Sequence, residues 1–268
     1  MIFEDNEMIF TNLPNDWKDL QDRVALVLEQ CGFKVESPKD LRSARSEIIE
    51  VDVYAIDESS ILQQTVVCEC KYWDKKVPQS VVHSFRAQIE DIGANIGLLI
   101  SKNGFQSGAY SASRYSNIKL LTWEEFEKMF LPIWYKNYFL KEVANIGDVL
   151  IDYTEPINTR VFKKVELLAE EDKLKFRMLR EKYSDLGWLC TVLKSDCYYS
   201  NQSSSTETGN FIRYCFPLAD YVVGKNISCY SDDILCAKSY VQFLKGLKKN
   251  VDFAVKEFNV LFDRVVLP

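Results

Sequence analysis

The chain reads as an α/β protein: a mixed sheet flanked by helices, followed by a second, mainly α-helical domain. Three observations predict this. Between about residues 17 and 130, segments rich in β-branched residues alternate with segments of helical apolar spacing. From 157 to 184 and from 233 to 263 the apolar spacing is helical, with few breakers. The length of 268 residues, with 47% hydrophobic and 13% aromatic content, is enough for two ordinary cores.

The elements follow in order. Residues 17–31 carry a helical apolar stripe that ends at Gly32, and a strand is expected near 33–36. The segments 47–56 and 64–72 alternate in polarity, and the polar run Asp57-Glu-Ser-Ser60 between them reads as a turn, so the two should form an antiparallel hairpin. A helix over 79–93, a strand over 96–101, a helix over 106–115 and a strand over 118–121 come next, the last three as a right-handed parallel crossover. Thr122, ahead of Trp-Glu-Glu125, is an N-cap with acids in the first turn of a helix over 123–130. Aromatics then crowd Leu131-Pro-Ile-Trp-Tyr-Lys-Asn-Tyr138, which places the junction between domains at 1–132 and 133–268. In the second half, Ser200 to Gly209 reads as a polar loop.

The hairpin carries the chemistry. With its turn centred between Ser60 and Ile61, Asp52 lies opposite Glu69, and directly opposed residues share a face. Lys71, two residues on from Glu69, shares it too. The other face then holds Val51, Val53 and Ala55 against Cys70, Cys68 and Val66. Phosphodiester hydrolysis needs an activated water and stabilised charge on a pentavalent phosphorus. Asp52 and Glu69 offer the hard oxygens that suit Mg²⁺, with Mn²⁺ able to substitute, and Lys71 can orient the attacking water and offset negative charge. Taken alone, an Asp and a Glu-x-Lys on neighbouring strands are more often a solvated ion-pair face than a catalytic site.

The order of elements narrows that choice. Leu20-Gln-Asp-Arg-Val-Ala-Leu-Val-Leu28, then Gln-Cys-Gly32-Phe33-Lys-Val35, Glu50-Val-Asp52-Val, Cys68-Glu69-Cys70-Lys71-Tyr72, the segment from Val77-Pro78 to Ala94, Ile96 to Ser101, Asn103 to Ala109 and Ile118-Lys-Leu120 together resemble the catalytic domain of Mrr-type restriction endonucleases, within the PD-(D/E)xK nuclease superfamily. The resemblance spans about Trp17 to Phe130 and implies a restriction-endonuclease-like fold. It implies Asp52 and Glu69 as metal-binding acids, Lys71 as the catalytic lysine, Mg²⁺ as cofactor, and DNA as substrate, methylated or phage-derived, in restriction or antiviral defence. A homodimer is the form suited to cutting both strands. One departure stands out: where the family commonly bears a Glu on its first helix, this chain has Gln21, with Asp22 or Glu50 as candidates to compensate. The alternatives are a nuclease for RNA or branched DNA, and a nuclease-like nucleic-acid-binding regulatory module with a weakened site.

Charge limits how such a protein holds a polyanion. The net charge is −6 and the excess of acid falls in the first 130 residues, whereas nucleic-acid binders usually present a basic face. Lys75 and Lys76, just after the strand that carries Glu69 and Lys71, are the local candidates for phosphate contact, against the plain reading of solvated turn residues. Lys173, Arg177 and Arg180 recur at helical spacing as a second candidate stripe, although such faces are more often simply solvated. His83 is the only histidine, which excludes multi-histidine metal sites. The eight cysteines show no C-x-x-C spacing and read as reduced, mostly buried thiols. No apolar run reaches membrane-span length, and the acidic start differs from a signal peptide, so the cytoplasm is the expected location.

Overall fold

A computed structural model describes residues 8–59, 61–155, 159–202 and 230–262. These residues fall into two compact units, one over Asn12–Asn137 and one formed by residues 8–11 with those from Tyr138 on.

The first unit opens with helix α1 (Trp17–Cys31), capped by the Asp16 carboxylate on the Asp19 amide and closed by Gly32 at φ 102°, a left-handed turn that glycine adopts freely. Then come β1 (Lys34–Glu36), β2 (Lys39–Arg42), β3 (Ile48–Val51), β4 (Val53–Asp57) and β5 (Gln64–Lys71). Helix α2 (Gln79–Ile92), β6 (Ile96–Ser101), α3 (Ser107–Ser113), β7 (Ile118–Thr122) and α4 (Trp123–Trp134) complete it. The main sheet runs β1-β4-β5-β6-β7, antiparallel through β5 and parallel beyond, where α2 and α3 provide the crossovers. A mixed sheet flanked by helices is therefore what the sequence builds. Thr122 caps α4 in a full capping box with Glu125, as its spacing predicts.

Apolar side chains divide between the two faces. Val67 and Leu99 join Val82, Phe85 and Ile89 of α2 and Ala109 of α3 in one buried cluster. The alternating residues Val53, Ala55, Cys68, Leu98 and Ile100 are buried on the other face, where α1 and α4 pack with Leu20, Val24, Leu28 and Phe126.

Three expectations need correction. The strand expected at 47–56 is two strands, because the chain bends at Asp52: β4 stays in the main sheet, while β3 pairs with β2 in a separate two-stranded sheet. That bend moves Val51 off the face of Val53 and into the α2 cluster. Helix α4 passes Phe130 and contains Pro132, and a π-helical segment, Tyr135–Phe139, follows it.

The second unit is helical throughout its described residues: α5 (Leu140–Thr154), α6 (Thr159–Glu166), α7 (Glu170–Gln202), α8 (Asp232–Leu235) and α9 (Tyr240–Val260). Tyr153 stacks on Phe258 at 4.6 Å between ring centroids, and Phe176 meets the same ring edge-on at 5.6 Å, which joins α5, α7 and α9 around one aromatic core. The backbone of Met8 and Ile9 accepts amides from the start of α9. Helix α7 continues through Ser200 to Gln202, so the first residues of the expected polar loop are helical; Ser203 to Gly209 lie outside the described residues. No helix of the described residues is long and apolar enough to cross a membrane.

Candidate active site

The hairpin register is the one the turn predicts. Val53 pairs with Cys68 and Asp57 with Gln64, and one more step along the ladder sets Asp52 beside Glu69. The regular ladder stops at that step. Asp52 turns its side chain in, and its Oδ2 accepts the Cys70 amide at 2.7 Å, replacing the backbone carbonyl that a continuing strand would supply. Glu69 and Lys71 project from the same face of β5 and form an ion pair, each about one-fifth exposed. This face is polar only at its end, since Val67, two residues earlier, is fully buried beneath α2. The site thus sits where the helical cover of the sheet runs out.

Electrostatics bind the three groups together. Burial pushes the Glu69 carboxyl above its ordinary range; Lys71 pulls it back and the Asp52 charge pushes it further up. The Asp52 charge beside Glu69 concentrates negative charge that a divalent cation would relieve. Asp52 Oδ1 and Glu69 Oε2 make no hydrogen bond among the described residues. Two hard carboxylates with oxygens to spare suit Mg²⁺, which keeps most of its waters and takes one or two protein carboxylates. No cluster of three potential ligands from His, Cys, Asp and Glu occurs among the described residues.

Behind Asp52 lie Gln21, the departure from the resembled family's pattern, and Ser37, which no motif marks. Gln21, on α1 and only 3% exposed, donates through Nε2 to the Asp52 carbonyl at 2.8 Å and to Ser37 Oγ at 3.1 Å. The Ser37 hydroxyl donates to the same carbonyl at 2.7 Å. A polar residue on the buried stripe of Leu20, Val24, Val27 and Leu28 is the sequence signal for Gln21; Ser37 gives none. Both candidate substitutes for the missing acid are exposed. Asp22 is exposed and paired with Lys18 at 2.9 Å, and Glu50 is exposed on β3 opposite Asp40.

The segment after β5 is tied down from both sides. Tyr72 Oη lies 2.8 Å from the Asn15 carbonyl, Asn103 Nδ2 donates to the Trp73 carbonyl at 2.8 Å, and Lys102 reaches Asp74 at 2.9 Å while covering the Tyr72 ring at 4.3 Å. Trp73 is 43% exposed, with its ring centroid 5.5 Å from Lys71 Nζ. Lys75 and Lys76 are exposed, and neither ammonium joins an ion pair among the described residues. His83 is exposed on α2. The stripe in the second unit is less available than its spacing predicts: Lys173 pairs with Glu170 at 2.8 Å, and Arg180 donates to the Thr154 carbonyl and stacks over Phe162. Of the cysteines, Cys31, Cys68, Cys70, Cys190 and Cys236 are free thiols, and burial pushes Cys31 and Cys190 up to about 12.

A mixed five-stranded sheet flanked by helices is consistent with a restriction-endonuclease-like fold. Residues 14–130 match the Mrr_cat family, described as a restriction endonuclease, and the match is consistent with the PD-(D/E)xK nuclease superfamily. No curated protein matches the chain. Among solved structures, a crystal structure of a protein of unknown function is 20% identical with a TM-score of 0.37, covering 47% of this chain and 73% of its own.

Proposed function

We propose that the protein is a metal-dependent DNA endonuclease in which Asp52 and Glu69 hold Mg²⁺ and Lys71 serves the attacking water. The observation that carries this reading is the meeting of Asp52, Glu69 and Lys71 at the uncovered end of one hairpin. Bound there, Mg²⁺ would supply Lewis-acid stabilisation of the phosphorane and lower the pKa of a coordinated water. The chain's own groups do the rest. Asp52 is fixed through its carbonyl and through Oδ2, so Oδ1 is presented with little freedom. Lys71, held by Glu69, orients the water in line with the leaving oxygen and balances charge as the phosphorus–oxygen bond breaks. Lys75 and Lys76 meet backbone phosphates. Restriction of foreign or modified DNA is the role that the family match favours, with a homodimer placing one site on each strand and the cytoplasm as the place of action.

Cleavage of plasmid DNA, unmodified and methylated, tests the reading with Mg²⁺, Mn²⁺ or EDTA present. Metal-dependent cutting is expected, with Lys71→Ala slower by about 100-fold or more. No cutting by the wild type, or full cutting by Lys71→Ala, overturns it. Turnover confined to RNA or branched DNA moves the substrate to those classes.

A further inference from the structure

We infer that Gln21 is a positioning residue whose amide, together with the Ser37 hydroxyl, clamps the backbone of Asp52, and that the site is built around this donor rather than around a third acid. Part of the inference rests on the proposed function, since it assigns Asp52 to the metal.

The Asp52 carbonyl has two acceptor directions and no strand partner beyond β4 to fill them. Gln21 Nε2 takes one at 2.8 Å and Ser37 Oγ the other at 2.7 Å. The second Nε2 proton goes to Ser37 Oγ at 3.1 Å, so three groups close a ring. A carbonyl only accepts, which fixes the Gln21 amide with its nitrogen towards Asp52. A glutamate there at neutral pH has no proton to give and would set an anion against a carbonyl oxygen.

The clamp acts on the site through one residue. Both ends of Asp52 are held: its carbonyl by α1 and the turn before β2, its carboxylate by the Cys70 amide of β5. Freeing the carbonyl lets the bend between β3 and β4 relax, and Oδ2 then leaves Cys70. Gln21 is thereby a functional choice at the position where the resembled family carries Glu; of the acids nearby in sequence, Asp22 is exposed and paired with Lys18, and Glu50 is exposed on β3.

The test uses the full chain as wild type, Gln21→Glu, Gln21→Met, Ser37→Ala and Ser37→Thr, with Mn²⁺ alone as the metal probe. Two readouts are taken: the Mn²⁺ dissociation constant by calorimetry, and, without metal, hydrogen exchange at the Cys70 amide. Both Gln21 variants are expected to bind Mn²⁺ roughly 10- to 100-fold more weakly. Their kcat should fall with KM for DNA unchanged, which loss of general stability would not produce. Cys70 exchange should quicken by about 5- to 10-fold, the scale of one lost hydrogen bond. Ser37→Thr, which keeps the hydroxyl, should restore what Ser37→Ala loses. Folded Gln21 variants with wild-type Mn²⁺ binding and wild-type Cys70 exchange overturn the clamp, and so does tighter Mn²⁺ binding by Gln21→Glu. Should neither Gln21 variant fold, the Ser37 pair decides by the same criteria. If the wild type binds no Mn²⁺ while Cys70 exchange responds as stated, the clamp stands and the metal-dependent function falls.

Discussion

At the scale of single residues, the site holds two anions and one cation in a place only one-fifth open to water, and the cation does not fully compensate. Glu69 keeps a raised pKa despite the Lys71 contact, because burial and the Asp52 charge outweigh it. The linkage has a definite sign. A carboxyl whose folded pKa exceeds its ordinary 4.5 binds its proton more tightly in the folded state, so stability is greatest below 4.5 and falls as pH rises through the folded value. Without metal, ionising Glu69 is therefore a net cost to the fold. Glu69→Gln is expected to melt above wild type at pH 8 in EDTA, and the gap should close as pH drops into the range where Glu69 is protonated. The same substitution should slow cleavage by about 100-fold or more, since it removes a charge that the proposed mechanism gives to the metal. A melting temperature for Glu69→Gln equal to or below wild type at pH 8 would show that Lys71 compensates the charge after all.

At the scale of elements, the sheet that carries the site depends on one close approach. β6 lies next to β5, and a Cβ at Gly97 would come within 2.9 Å of both Ile89 Cγ1 and Phe85 Cε1 of α2. Gly97→Val should destabilise the protein by about 1–3 kcal/mol through overpacking, read as a lower urea midpoint with unchanged slope. An unchanged midpoint would mean that α2 can move aside. Elements with strong periodicity and clear ends were legible in the sequence: α1 with its Gly32 stop, β6, and the β4–β5 hairpin with its register. Three features were not, each for a physical reason. β2 is four residues, Lys-Asp-Leu-Arg, with a single apolar side chain and a partner outside the main sheet. The bend at Asp52 is set by hydrogen bonds from Gln21, Ser37 and Cys70, which are 31, 15 and 18 residues away and leave no local pattern. Pro132 reads as a breaker, yet α4 passes through it. The proposed site was legible as residue types at a spacing; of the groups behind it, Gln21 was marked and Ser37 was not.

At the scale of the whole molecule, a chain of net charge −6 must hold a polyanion through a few local cations. Most basic side chains near the candidate surfaces are already committed. Lys102 is held by Asp74, Lys173 by Glu170, and Arg180 by the Thr154 carbonyl. Lys75 and Lys76 differ, being exposed, free of ion pairs among the described residues, and set on a segment anchored by Tyr72 and Asn103 close after Lys71. Their ammonium groups can displace counterions from a phosphate without first breaking an internal pair. Each phosphate contact contributes about 0.9 to the slope of log affinity against log salt. The double variant Lys75→Ala with Lys76→Ala should therefore raise KM for DNA, leave kcat near wild type, and flatten the salt dependence of KM by up to about 2. Lys173→Ala should leave that slope unchanged, because its charge is spent on Glu170. A wild-type slope in the double variant would move the phosphate contacts to other basic groups of the chain or to a second subunit.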